Sequence, residues 1–142
     1  MKFHFKVHKE GKGYWAECLE LKGCLTQASS KKELIANAEE ALNLFLDEPE
    51  NSKVIFPEPR KSVDGKNLIE VPVDPKIAFA MSLRQERVKN HLTQSQVATK
   101  LGLRNPYSYQ RLENSKTSNP SLTTIVLLKT IFPDLKLDRI VA

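Results

Sequence analysis

The sequence has no apolar run approaching the roughly twenty residues that a membrane-spanning helix needs. Its first residues, MKFHFKVHKEGKG, lack the apolar stretch and small-residue cleavage site of a secretory leader. A cytoplasmic protein with no membrane partner is the expectation. Cysteine is scarce: only Cys18 and Cys24 are present, too few for a disulfide framework. Reduced thiols in or near the core are expected instead. No His/Cys grouping has zinc-site spacing, so no metal or cofactor is expected. Internal repeats and low-complexity tracts are also lacking.

What is present is an uneven charge. The net charge is +5. Met1 to Lys66 holds 11 Lys/Arg against 11 Asp/Glu, while Asn67 to Ala142 holds 11 against 6. The whole excess falls in the second half, which points to a polyanionic partner for that half and different work for the first.

Along the first half the pattern is β-rich. Residues 2–8 alternate, with Phe3, Phe5 and Val7 on one face and Lys2, His4, Lys6 and His8 on the other. That predicts a half-buried strand with His4 and His8 facing solvent. EGKG (10–13) reads as a turn. GYWAECLEL (13–21) completes a hairpin, with Tyr14, Ala16 and Cys18 on one face and Trp15 in the core or an interface. Cys24 to Ala28 predicts a short third strand. Ser30 opens a helix, with Glu33 completing a capping box. Leu34, Ile35, Ala38, Ala41, Leu42, Phe45 and Leu46 form its apolar stripe, and Pro49 ends it. The helix is expected to cover the small sheet. Val54 to Phe56 is an edge-strand candidate. So is Leu68 to Val73, which Pro72 confines to an edge or a dimer contact.

From Pro75 on, strand signals stop and five short helices fit. The first runs from about Lys76 to Asn90, with Ile77, Ala80, Leu83 and Val88 inward. Thr93 and Gln96 form a capping box for the second, whose core face is Val97, Ala98 and Leu101, and Gly102 suits its C′ position. Asn105 caps the third, with Pro106 at its first position. Asn119-Pro120 repeats that start signal for a fourth helix, LTTIVLLKTIF, which is apolar nearly all round and reads as buried. Leu137, Ile140 and Val141 mark a short last one.

The third of these helices has the two faces that a groove-reading helix needs. Tyr109 and Leu112, at i, i+3, face the core. Tyr107, Gln110, Arg111 and Asn114 share the opposite face; Arg forks onto guanine, Gln or Asn onto adenine. Tyr107 reads equally well as a packed turn aromatic. The helix start at Asn105 and Pro106, together with Gln94, is placed for phosphates. Arg104 and Lys116 flank the helix for backbone contacts.

HLTQSQVATKLG (91–102) followed by YQRLENSKTSNPSLTTIVLLKTIFP (109–133) resembles the Cro/C1-type (XRE) helix-turn-helix of phage and bacterial repressors. The resemblance implies operator binding, usually as a dimer. It also implies that Arg87 pairs with Glu113 for structure rather than for reading. The blocks EGKGYWAE and KGCLTQA, the helix ending EEALNLFL and the tail VIFPEP resemble HicB antitoxins. That resemblance implies a degraded RNase H-like domain that silences a small HicA toxin, an mRNA-cleaving ribonuclease. RNase H chemistry needs clustered carboxylates. Glu17, Glu20, Glu33, Glu39 and Glu40 are the carboxylates on offer, with Glu39 and Glu40 read as a solvated face, and no catalytic residue is assigned.

The expected architecture is α+β: a small antiparallel sheet covered by a helix, then an all-α helix-turn-helix domain. A toxin-binding domain is expected at 1–60, a linker with a possible strand at 61–75, and the DNA-binding domain at 76–142. The expected function is that of a non-enzymatic antitoxin and autorepressor. Its expected partners are a HicA-like toxin, double-stranded operator DNA and further copies of itself, with toxin-contact residues unassigned. The alternative is a regulator whose first domain senses a small ligand.

Overall fold

A computed structural model describes residues 1–141; Ala142, the last position of the expected DNA-binding domain, lies outside them. The chain forms two units. One comprises Met1–Leu46 and Phe56–Asp74, the other Asp47–Ile55 and Pro75–Val141.

In the first unit, β1 (Lys2–Glu10) and β2 (Gly13–Cys18) form the expected hairpin, with Phe5 opposite Cys18 and Glu10 opposite Gly13. Gly11 sits in its turn at φ 58°, where a β-carbon would be strained. β3 (Leu25–Ala28) pairs with β2, and β4 (Leu68–Pro72) pairs with β1. The antiparallel order is β3-β2-β1-β4, so Pro72 lies on an edge strand, where its missing N–H costs no ladder bond. Val54 to Phe56 forms no strand; the place beside β1 is taken by β4, whose Ile69 and Val71 lie opposite Phe5 and Phe3 on one face.

The helix α1 (Lys31–Leu46) packs against β2, β3 and β4. Its buried line is Leu34, Ala38, Leu42 and Leu46, an i, i+4 row narrower than the expected stripe. Ile35 is 51% exposed, and Phe45 turns to Phe56, with ring centroids 5.7 Å apart. Phe3, Phe5, Ala16 and Val71 fill the covered sheet face. The start of α1 is only half the expected capping box. Ser30 Oγ accepts from the Glu33 N–H at 3.2 Å, while the Glu33 carboxylate accepts from the Ser29 hydroxyl at 2.7 Å.

The other sheet face departs from simple alternation. His4 is 5% exposed rather than solvent-facing, because the chain after β2 folds back over it. Leu19 N–H donates to the His4 carbonyl at 2.8 Å. The Glu20 carboxylate accepts from His4 N–H at 3.0 Å and lies 2.8 Å from His4 Nδ1. His8 stacks on Trp15 at 4.1 Å.

The second unit is all helical apart from Asp47–Ile55: α2 (Pro75–Lys89), α3 (Gln94–Lys100), α4 (Pro106–Gln110), α5 (Leu122–Ile131) and α6 (Leu137–Val141). α2 buries more of its surface than its expected inward row, including Ala78, Phe79, Met81, Arg84 and Arg87. α5 starts at Leu122, as LTTIVLLKTIF places it, but its cap is Ser121 rather than Asn119, because Ser121 Oγ accepts from the Thr124 N–H. Nor is α5 buried all round. Leu128 is fully buried, whereas Leu122 is 82% and Val126 66% exposed. A ten-residue helix at the edge of a small unit presents one line to the core and leaves the rest to solvent.

Candidate nucleic-acid interface

The expected capping signals at α3 and α4 place the site. Thr93 and Gln96 make the full reciprocal box at α3. The C-cap of α3 is Leu101, and Gly102 follows at φ 76°, the left-handed conformation that closes helices. Asn105 caps α4 through Tyr107 N–H at 3.0 Å, with Pro106 at the first helical position. Helix, five-residue turn (101–105) and helix follow in order.

α4 is held from beneath. Tyr109 is fully buried and Leu112 nearly so, as their spacing predicts. Below them lies a buried ion pair. Arg87 Nε donates to Glu113 Oε2 at 2.7 Å and Nη2 to Oε1 at 3.0 Å, a planar fork. Arg87 Nη1 donates to the Leu92 carbonyl at 3.0 Å. The pair therefore ties α2, the turn before α3 and the segment after α4 together, which is the structural role expected of it. Burial alone would lower the Arg87 guanidinium, but the bonds and charge of Glu113 raise its pKa. Burial, then the nearby Glu113 carboxylate, push the Tyr109 phenol well above its ordinary range.

The expected DNA-facing residues differ in exposure and position. Tyr107 is 58% exposed. Arg104, Asn105 and Arg111 are also exposed, while Pro106 and Gln110 are half-buried. Tyr107, Gln110 and Arg111 share the free side of α4. Asn114 does not extend that face, because α4 ends at Gln110 with Arg111 as its C-cap. Asn114 lies in the following turn, where its Oδ1 accepts from Lys116 N–H at 2.9 Å. Lys116 is exposed beside it. Gln94 sits at the start of α3, half-buried, with Nε2 at 3.4 Å from Glu113 Oε1.

Two features of this unit carry no signal in the sequence. The segment from Asp47 crosses it: Ser115 Oγ donates to Asp47 Oδ1 at 2.7 Å, and Gln94 Nε2 reaches the Glu50 carbonyl at 3.5 Å. Beneath it Arg84 is 1% exposed, its Nη1 3.5 Å from the Glu48 carbonyl and its Nε and Nη2 unpartnered. Burial lowers the Arg84 pKa. Both contacts join residues far apart in sequence, which no local pattern encodes.

Among the described residues of the first unit, the carboxylates do not gather into a group that could hold a metal ion. Glu20 is buried, holding His4 and accepting from Arg60 N–H at 3.1 Å. Glu17 lies 3.7 Å from His8, and Glu33, Glu39 and Glu40 are exposed on α1. Cys18 and Cys24 are free, buried thiols, as expected. Burial pushes Cys18 up to about 12 and Cys24 up to about 11. Among the described residues no helix is long and apolar enough to cross a membrane.

Residues 83–133 match a helix-turn-helix family model, spanning α3, α4 and α5. With the geometry above, this part of the chain is a DNA-binding helix-turn-helix. The chain is also 34% identical, over 74 residues, to a UPF0150 protein of Helicobacter pylori, an alignment that takes in 52% of this chain and 92% of that protein. With nearly the whole of that relative matched, the chain belongs to the UPF0150 family.

Proposed function

We propose that this chain is the antitoxin of a type II toxin–antitoxin pair and the repressor of its own operon. In this reading the helical unit binds double-stranded operator DNA, with α4 in the major groove. Arg111, Gln110 and Tyr107 face base edges; Gln94, Arg104, the Asn105-Pro106 helix start, Asn114 and Lys116 meet the backbone. The protein acts in the cytoplasm as a homodimer or larger homo-oligomer, its half-sites about 34 Å apart. The exposed Leu122, Val126 and Leu127 of α5 supply apolar surface for such an assembly. The sheet unit binds and silences a HicA-like mRNA-cleaving toxin, and neither unit is assigned catalysis or a cofactor. Membership of the UPF0150 family and the resemblance of the GYWAE and KGCLTQA blocks to HicB antitoxins support that half.

The observation that carries the DNA reading is α4 itself: an exposed Tyr107 and Arg111 on a short helix locked from below by Tyr109 and the Arg87–Glu113 fork. Arg111→Ala is expected to abolish the gel shift of a duplex from the chain's own promoter region while leaving toxin co-purification intact. Wild-type binding by that variant would mean that the reading helix is misplaced. Wild-type affinity is also expected to fall steeply with salt, since phosphate contacts release counterions.

A second reading, a ligand-sensing regulator, is favoured by one feature. A groove in the sheet unit is lined by Lys9, Tyr14, Lys31, Leu34 and Asn67, with both ammonium groups 6.0 Å from the Tyr14 ring centroid. Co-purification with the product of the neighbouring reading frame separates the two readings.

A further inference from the structure

The stretch Asp47–Ile55 falls within the 1–60 segment expected to form the first domain, yet it packs as part of the helical unit. It leaves α1 at Leu46 and returns at Phe56, whose ring meets Phe45 at 5.7 Å and closes the base of the excursion. Between those points it carries three carboxylates, Asp47, Glu48 and Glu50.

Their position is specific. Gln94 at the start of α3 and Asn114 to Lys116 after α4 bracket the reading helix. In a helix-turn-helix these are positions over which the phosphate backbone runs. The strap is bonded at both ends of that bracket, to Gln94 through the Glu50 carbonyl and to Ser115 through the Asp47 carboxylate. Asp47, Glu48, Pro49 and Glu50 line one crevice with Asn114, Ser115 and Lys116.

We propose that Asp47–Glu50 is an autoinhibitory strap, lying where operator phosphates must run and swinging away when DNA binds. The proposal rests on the DNA reading given above and adds its regulation. Two effects act together: the strap fills the space, and its carboxylates repel phosphate at close range. Its hold is loose, as a displaceable occupant requires. The contacts to Gln94 and Arg84 are both at 3.5 Å, and Arg84 leaves two of its nitrogens unpartnered beneath the strap. The Asp47–Ser115 bond at 2.7 Å is the firm one. Hinged at Phe45 and Phe56, the strap moves as a loop, without unfolding either unit.

A cross-link tests this in the full chain. Asp47→Cys with Ser115→Cys places two thiols where the hydrogen bond now lies, and binding to a duplex from the chain's own promoter region is compared in oxidised and reduced forms. The oxidised form is expected to bind at least tenfold more weakly, with recovery on reduction. A second variant, Glu48→Gln with Glu50→Gln, needs no disulfide. It is expected to bind several-fold more tightly than wild type at low salt, a gain that shrinks as salt screens the carboxylates. Equal affinity of oxidised and reduced forms, or unchanged affinity of the glutamine variant, overturns the strap while leaving the reading helix in place. Failure of folded wild-type protein and of every variant to shift the duplex overturns both.

Discussion

Arg87 is the residue whose loss the structure prices most clearly. In Arg87→Ala, the Glu113 carboxylate loses both forked bonds, and its side chain has no solvent exposure to compensate. Gln94 Nε2 at 3.4 Å is a weak remaining donor. Stripping one partner from a buried pair costs about 3–5 kcal/mol, against a total stability of about 5–15 kcal/mol for an ordinary domain. The unfolding midpoint should fall by roughly 15–30 °C in a unit of this size. Two probes localise the effect. Trp15 is the only tryptophan and lies on β2, whereas α2 to α6 supply most of the helix signal. Urea titration followed at 222 nm should show an early transition while tryptophan emission keeps its wild-type midpoint. Replacing both members, Arg87→Met with Glu113→Leu, should recover much of the loss, because no buried charge is then left unpaired. A loss under about 1 kcal/mol, the value of a surface pair, would refute the account of a buried structural fork. So would an equal shift of the Trp15 transition.

Further effects follow from the same structure. Thr93→Ala removes the bond from Gln96 N–H to Thr93 Oγ1 at 3.1 Å and should cost about 1 kcal/mol, read from the same urea titration. Leu128→Ala should cost about 2–5 kcal/mol, whereas Leu122→Ala stays within about 0.5 kcal/mol of wild type in dilute monomer, a contrast that tests which side of α5 is covered. Cys18 and Cys24 bind their protons more tightly folded than unfolded, so their contribution is complete below the unfolded thiol value. It is lost as pH rises through about 11 for Cys24 and about 12 for Cys18, which a denaturation series from pH 8 upward would register. At pH 8 the native thiols should resist iodoacetamide, and rapid alkylation would contradict their burial.

The elements legible in the sequence are those specified locally. The Thr93–Gln96 box, the Asn105-Pro106 start and the Gly102 stop each involve groups within four residues of one another, and each stands where its pattern places it. The β1–β2 hairpin is local for the same reason. The Arg87–Glu113 pair spans 26 residues and was accessible only through resemblance to a family. Where two local signals compete, pattern alone does not choose: Ser121 takes the α5 cap from Asn119 because its hydroxyl reaches Thr124. Burial is less legible still. Strand alternation puts His4 outside, but the return of Leu19 and Glu20 across it is a tertiary event. The apolar composition of α5 predicts burial, yet composition does not say how many neighbours a helix has.

The same distinction explains why the proposed reading face is part visible and part hidden. Tyr107, Gln110 and Arg111 lie within the helix period and could be picked by spacing. Asn114 satisfies that spacing too, but α4 stops before it, and the side chain is used to hold the Lys116 amide. A residue whose polar group is already bonded must exchange that bond for a contact to DNA, so its net gain is smaller than that of a free guanidinium. In the proposed DNA complex, sequence readout would therefore concentrate on Arg111, Gln110 and Tyr107, while the 114–116 turn would serve position and charge. That division also makes the turn the sensible place for a competing acidic segment. On that proposal, covering a backbone-contact position would lower affinity for every duplex alike, and the choice among sequences would stay with α4.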